Sequence, residues 1–255
     1  MRKKRIVIKV GSSTITHASG LLNLRKLDAL ACVLSDLRNQ GHEVLLVSSG
    51  AIAAGRGKMH LDRRPQTLEE KQALAAVGQC ELMYIYDKMF SQYSCSVAQL
   101  LITKEVIDDD TLPRTIDTLL AYRCIPIINE NDSVATDEIV YGDNDTLSAI
   151  TARLMSADLL ILLSDVDGLY ERNPLLDPKA KKLDVVHEID DALMAMAGES
   201  ASDLGTGGMI TKLQAGRIAT SAGCDMVIAS GEDPRILYDI LDGTPCGTLF
   251  LARRE

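Results

Sequence analysis

The 255-residue chain carries 36 Asp and Glu against 27 Lys and Arg, a formal net charge of −9. That balance argues against nucleic acid as a partner, because phosphate-backbone binders show a basic field. Hydrophobic residues at 46% and charged residues at 25% exclude a disordered chain and indicate a soluble globular one.

The six cysteines, at 32, 80, 95, 124, 224 and 246, form no C-x-x-C pair, and His17, His42, His60 and His187 are equally dispersed. This usage fits a reducing cytosol and argues against structural zinc. The basic start Arg2-Lys-Lys-Arg5 resembles the opening of a signal peptide, but its apolar run stops at Lys9, too early for a secretory core. No stretch approaches the roughly 20 apolar residues of a membrane span, so a cytoplasmic protein without membrane contacts is expected.

In chain order, Ile6 to Val10 reads as a buried strand. Leu24, Leu27, Leu30, Ala31, Leu34 and Leu37 then form a helical stripe ending near Gly41. Val44 to Ser48 is the next strand, followed by a small-residue turn and a long helical stretch from about Leu68 to Phe90. Val97 to Ile102 predicts a strand, Thr115 to Tyr122 a helix, and Ile125 to Ile128 another strand. Leu159 to Leu163 and Met226 to Ala229 continue the series, each preceded by a helix. Asp132 to Tyr141 suggests a hairpin or lid, and Arg172 to Leu183, with Pro174 and Pro178, an exposed loop.

Short apolar strands alternating with helices indicate an α/β fold, with a mainly parallel sheet covered on both faces. Ligands of such sheets bind beyond the carboxyl ends of the strands. The polar residues fall at those ends: Lys9 and Gly11 after the first strand, Ser48-Ser49-Gly50 after the second, then Asn129, and then Ser164-Asp165.

Two lysine segments stand out, Lys9-Val-Gly11-Ser-Ser13 and Gly205-Thr206-Gly207-Gly208-Met209-Ile210-Thr211-Lys212. Lysines in flexible, hydroxyl-rich backbone suit a transferring phosphoryl group, whose catalysis is mostly positioning and electrostatics. Each segment by itself also fits an ordinary turn or helix cap, although the helix start before Lys212 favours nucleotide phosphates. Val47-Ser-Ser49-Gly50-Ala51-Ile-Ala-Ala-Gly55 presents backbone N–H groups to an anion or serves close packing. Gly50 and Gly55 have Walker A spacing, but Arg56-Gly57 follows instead of Lys-Ser/Thr, and no dinucleotide fingerprint follows the first strand. The densest polar stretch is Ile128-Asn129-Glu-Asn-Asp132 with Gly142-Asp143-Asn144-Asp145. Asn144 or Asp145 suits a helix cap there, and a carboxylate suits a lysine or a substrate amine.

In this order the five segments resemble the amino acid kinase family, from Lys9 to about Phe250, and within it the branch that phosphorylates the glutamate side chain. The resemblance implies a three-layer αβα sandwich with a roughly eight-stranded, mainly parallel sheet. It spans one domain over 1–255, with a substrate half to about residue 155 and a nucleotide half beyond. It implies MgATP-dependent transfer of the γ-phosphoryl group to L-glutamate, giving L-glutamyl 5-phosphate for proline synthesis. Lys9 and Lys212 would meet the migrating phosphoryl group, with Asp145 organising both. Ser49, Gly50, Ala51, Asn129, Asp132, Asp143 and Asn144 would bind glutamate, Asp132 facing its amine. ATP would be held by Lys9, Gly11, Ser164, Asp165 and the run Thr206, Gly207, Gly208, Met209, Ile210, Thr211 and Lys212. Mg2+ would be carried by phosphate oxygens and water, with no protein metal ligand.

The resemblance also implies a homo-oligomer, dimer or tetramer, and feedback inhibition by proline. The chain ends at Glu255 without the C-terminal PUA domain that many such enzymes carry. Two alternatives remain at this level. One is a relative acting on N-acetylglutamate or UMP, less favoured because Asp132 suits a free amine. The other is a non-catalytic amino acid or nucleotide sensor, against which the two lysines speak.

Overall fold

The computed structural model describes residues 3–103, 111–134, 144–172, 174, 177, 179–199 and 208–253. The first strand, β1 (Arg5–Val10), is a central one, flanked in parallel by β2 (Glu43–Ser48) and β5 (Leu159–Ser164). β4 (Ile125–Glu130) and β3 (Val97–Ile102) extend the sheet beyond β2, and β9 (Asp225–Ser230) extends it beyond β5, all parallel. β10 (Thr248–Phe250) runs antiparallel to β9 and carries β8 (Val185–Val186) at the far edge. The order β3-β4-β2-β1-β5-β9-β10-β8 is the mainly parallel eight-stranded sheet expected from the sequence.

The chain winds outwards from β1 first to one side and then, from β5 onwards, to the other. β1 therefore borders the switch point of the topology, where parallel sheets open a crevice for ligands. The carboxyl ends of β3, β4, β2, β1, β5 and β9 share that edge.

Alternation along each strand sends side chains to opposite layers. Ile6, Ile8 and Val10 pack towards α2 (Leu24–Asn39), α4 (Leu68–Ser91) and α9 (Ile236–Asp242). Val7, with Leu45, Val47 and Ile128, packs towards α5 (Thr111–Ala121), α6 (Asn144–Leu154), α7 (Asp191–Glu199) and α8 (Met209–Ser221). Lys9 has the parity of Val7, so its side chain rises on the α6 and α8 side.

The structure refines several boundaries. The turn expected after β2 is a helix, α3 (Ala51–Lys58), preceded by the one-turn α1 (Ser12–Ile15) after β1. The segment 51–58 hides its helical nature because small residues give it no apolar stripe. Its glycines instead serve contact with α4: a Cβ on Gly55 would fall 2.0 Å from Leu74 O, and one on Gly78 would fall 1.8 Å from Ala51 O. Helix α5 begins at Thr111, four residues before the expected start. Within the expected loop 172–183, Lys182–Leu183 (β7) pairs with Leu169–Tyr170 (β6). Of the segment 132–141, residues 132–134 form a turn and the rest lie outside the described residues. Among the described residues no helix is long and apolar enough to cross a membrane.

Candidate active site

Asp145 does not cap α6; it occupies the first turn, with only 1% of its surface exposed. A carboxylate is favoured at a helix N-terminus by the unpaired N–H groups there, and here it also meets two cations. Its Oδ1 lies 2.6 Å from Lys9 Nζ at the end of β1, and its Oδ2 lies 3.1 Å from Lys212 Nζ in the first turn of α8. Both lysines are themselves buried. Burial pushes the Asp145 carboxyl up, but the two ammonium groups outweigh it and hold the group below its ordinary value. One carboxylate thus holds two positive charges side by side at the sheet's switch point.

The start of α8 adds backbone. Gly208 is its N-cap and has no side chain to cap the first turn, and the N–H groups of a helix start are of the kind that suits an anion. Thr211 Oγ1 donates to Gly208 O at 2.8 Å and stands 3.3 Å from Asp145 Oδ2. A Cβ on Gly208 would meet no atom of the described residues within 4 Å. Met209 and Ile210 open the same helix and are half-buried. Gly11, where a Cβ would come no nearer than 3.8 Å to Lys9 Nζ, leaves equivalent room on the β1 side.

Beyond β5, Ser164 Oγ donates to Asp165 Oδ1 at 2.9 Å, and Ser164 O accepts from the Gly231 amide after β9 at 2.6 Å. Ser164 is buried and Asp165 exposed. These groups sit at the carboxyl ends of β5 and β9.

On the other side, the β2 turn is set by Gly50, whose φ of 105° is left-handed; a Cβ there would also meet Ile15 Cδ1 at 2.9 Å. The turn starts α3 at Ala51 and raises Ser49. Ser48, fully buried, shares a 2.8 Å hydrogen bond with Tyr86 OH. Asn144 Nδ2 donates to Ser49 Oγ at 2.8 Å and to Asn129 Oδ1 at 2.9 Å, while Asn129 Nδ2 donates to Gln79 Oε1 at 3.1 Å. Asp132, half-buried in the turn after β4, has its carboxyl pushed up by burial. Glu130 is pushed up to about 7, first by burial and then by the neighbouring Asp132 charge.

The structure therefore gathers Lys9, Asp145 and Lys212 at the centre, with Ser49, Asn129 and Asn144 hydrogen-bonded on the β2 and β4 side. Asp143, Thr206 and Gly207 lie outside the described residues. Sequence reasoning missed Gln79 and Tyr86, which sit in an unbroken helical pattern without a motif. It passed over Glu130, whose place in the polar run Ile128 to Asp132 was the available signal.

Residues 4–230 match the profile of the amino acid kinase family. The chain is 50% identical over 259 residues to a protein named glutamate 5-kinase from Clostridium perfringens (strain 13 / Type A), covering 98% of this chain and 96% of the relative. A glutamate 5-kinase from Listeria innocua serovar 6a is 48% identical, with 99% and 94% covered. Among solved structures, carbamate kinase from Giardia lamblia bound to AMP-PNP superposes with a TM-score of 0.70 at 17% identity, covering 98% of this chain and 99% of that one. UMP kinase from Ureaplasma parvum gives 0.69 at 16% identity, with 98% and 100% covered. At these identities the structures speak for the fold.

Proposed function

The chain belongs to the amino acid kinase family, and we infer that it catalyses the glutamate 5-kinase reaction, the ATP-dependent phosphorylation of the glutamate side-chain carboxylate. Its product, L-glutamyl 5-phosphate, leads to proline. The observation that carries the chemistry is the Asp145 carboxylate held between Lys9 and Lys212; high identity to glutamate 5-kinases over almost the whole chain carries the substrate.

In this reaction a γ-carboxylate oxygen of glutamate attacks the γ-phosphorus of ATP, and the bond to the bridging oxygen of ADP breaks. A carboxylate is already a nucleophile near neutral pH, so no residue has to remove a proton. We assign Lys9 and Lys212 to the charge that spreads over the phosphoryl oxygens. Asp145 keeps both ammonium groups aimed despite their repulsion.

Ser164, Asp165, Gly11 and residues 206–212 are assigned to ATP, supported by the room that the described residues leave at Gly208 and by the N-terminus of α8 beside Lys212. Ser49, Gly50, Ala51, Asn129, Asp132, Asp143 and Asn144 are assigned to glutamate. Asp132 and Glu130 support this side, since two carboxyl groups pushed up by burial gain from a substrate ammonium. Mg2+ would be held by the phosphate oxygens and water, where it would supply neutralising charge, and no side chain of the site is assigned to it as a ligand. A cytoplasmic homo-oligomer, inhibited by proline and divided near residue 155 into substrate and nucleotide halves, belongs to the same proposal.

Hydroxylamine, which traps an acyl phosphate as its hydroxamate, tests the proposal with MgATP and either glutamate, N-acetylglutamate, aspartate or UMP, with ADP release followed in parallel. Hydroxamate from glutamate alone is the expected result. Turnover only with another acceptor overturns the substrate, and no ADP release with any of them overturns the activity.

A further inference from the structure

We propose that Gln79 is a positioning residue, which fixes the direction of a hydrogen-bond relay so that Asn144 presents its carbonyl, and Ser49 its hydroxyl proton, to the substrate. The proposal rests on glutamate binding at this site.

The relay begins where Gln79 Oε1 accepts from Asn129 Nδ2 at 3.1 Å. An amide that gives its N–H₂ to one neighbour turns its oxygen to the other, and Asn129 Oδ1 indeed accepts from Asn144 Nδ2 at 2.9 Å. The other hydrogen on Asn144 Nδ2 goes to Ser49 Oγ at 2.8 Å. Both N–H groups of Asn144 are then spent within the protein, and its Oδ1 accepts from none of the described residues. Ser49 Oγ has used one lone pair as acceptor, which leaves its proton to donate.

The polarity suits an amino acid: a carbonyl oxygen for an ammonium beside Asp132, and a hydroxyl proton for a carboxylate. Reversing the chain would turn N–H₂ towards the ammonium, where it repels, and would spend the Ser49 proton on Asn144. Asn129, with 3% of its surface exposed, serves the glutamate side as the middle link of this relay.

The helix that carries Gln79 is held close to this site: the preceding Gly78 lacks a side chain, which lets α4 lie against the Ala51 carbonyl. The same glycine contact fixes α4 to the first turn of α3, next to Ser49. The relay's origin and its end are thus tied together through backbone.

The test compares Gln79→Leu, which removes the acceptor, Gln79→Glu, which can only accept when ionised, and Gln79→Lys, which can only donate. The hydroxamate assay is run with glutamate and with glutarate, which lacks the amine. Losing a substrate-directed polar contact typically costs about tenfold. Gln79→Leu is expected to raise the glutamate KM by about that factor with kcat within about twofold, to weaken the preference for glutamate over glutarate, and to melt near the wild type. Gln79→Glu should keep the wild-type KM and preference, whereas Gln79→Lys should be worse than Gln79→Leu.

Equal KM in all three variants and the wild type would overturn the relay, as would Gln79→Glu and Gln79→Leu being impaired alike. A wild-type protein that makes no hydroxamate from glutamate would overturn the assigned function instead, so the two failures are separable.

Discussion

Lys9 Nζ and Asp145 Oδ1, 2.6 Å apart, join the end of the central strand β1 to the first turn of α6. Through the second oxygen of the same carboxylate the contact continues to α8 and Lys212. Three elements distant in sequence are registered to one another by a single side chain.

Lys9→Ala and Lys212→Ala should each lower kcat far more than they raise either KM. Losing one preorganised contact to a developing charge costs about 3–4 kcal/mol, or 10²–10³ in rate. Steady-state kinetics with glutamate and MgATP decide it, and near-native turnover in either variant removes that lysine from the phosphoryl site.

Asp145→Asn should cost both turnover and stability. It leaves two ammonium groups facing each other without their counter-charge, and breaking a buried pair costs about 3–5 kcal/mol. The carboxyl is held below its ordinary value, so its contribution is complete at neutral pH and is lost only as pH falls through that lowered value. Urea denaturation at pH 7.5 should therefore show the full deficit, with variant and wild type converging only in strong acid. Equal midpoints at pH 7.5 would refute it.

The opposite sign is expected at Glu130. Its carboxyl is pushed up to about 7 from an ordinary 4.5, so between those values the folded chain holds a proton that the unfolded chain has released. Stability from this group is present at low pH and is lost as pH rises through about 7. Glu130→Gln should melt higher than the wild type at pH 8 and alongside it at pH 5, by calorimetry of the ligand-free protein. A difference that does not vary with pH would count against it.

Much of this molecule is legible in its sequence for identifiable reasons. Strands buried on both faces, such as Leu159–Leu163, announce themselves as unbroken apolar runs, and α2 shows its stripe from Leu24 to Leu37. Lys9 and Lys212 are conspicuous because a lysine beside glycine at an element's end suits phosphate better than packing. Helix α3 is illegible by the same logic, because what it buries is backbone against backbone at Gly55 and Gly78. Gln79 and Tyr86 escape notice because their partners, Asn129 and Ser48, become neighbours only when β4, β2 and α4 come together.

Gly78→Ala tests that backbone contact. The added methyl would fall 1.8 Å from Ala51 O, too close for any rotamer to relieve, so α4 must move from α3. Overpacking of this kind costs about 1–3 kcal/mol, and more when backbone must shift. A melting point lower by about 5 °C or more, with a raised glutamate KM, is expected. An unchanged melting point would show that the helices are free to separate.

The order of strands also bears on how the chain is made. β1, β2, β3 and β4 form one contiguous half of the sheet, and all four have been translated once Glu130 is added. That half can zip together during synthesis, since chains acquire structure from the N-terminal side as they emerge. The exposed flank of β1 then waits for β5, and the Lys9 ammonium waits for Asp145. The half translated first thus prepares a template, and the crevice comes into being only when the later half docks on it.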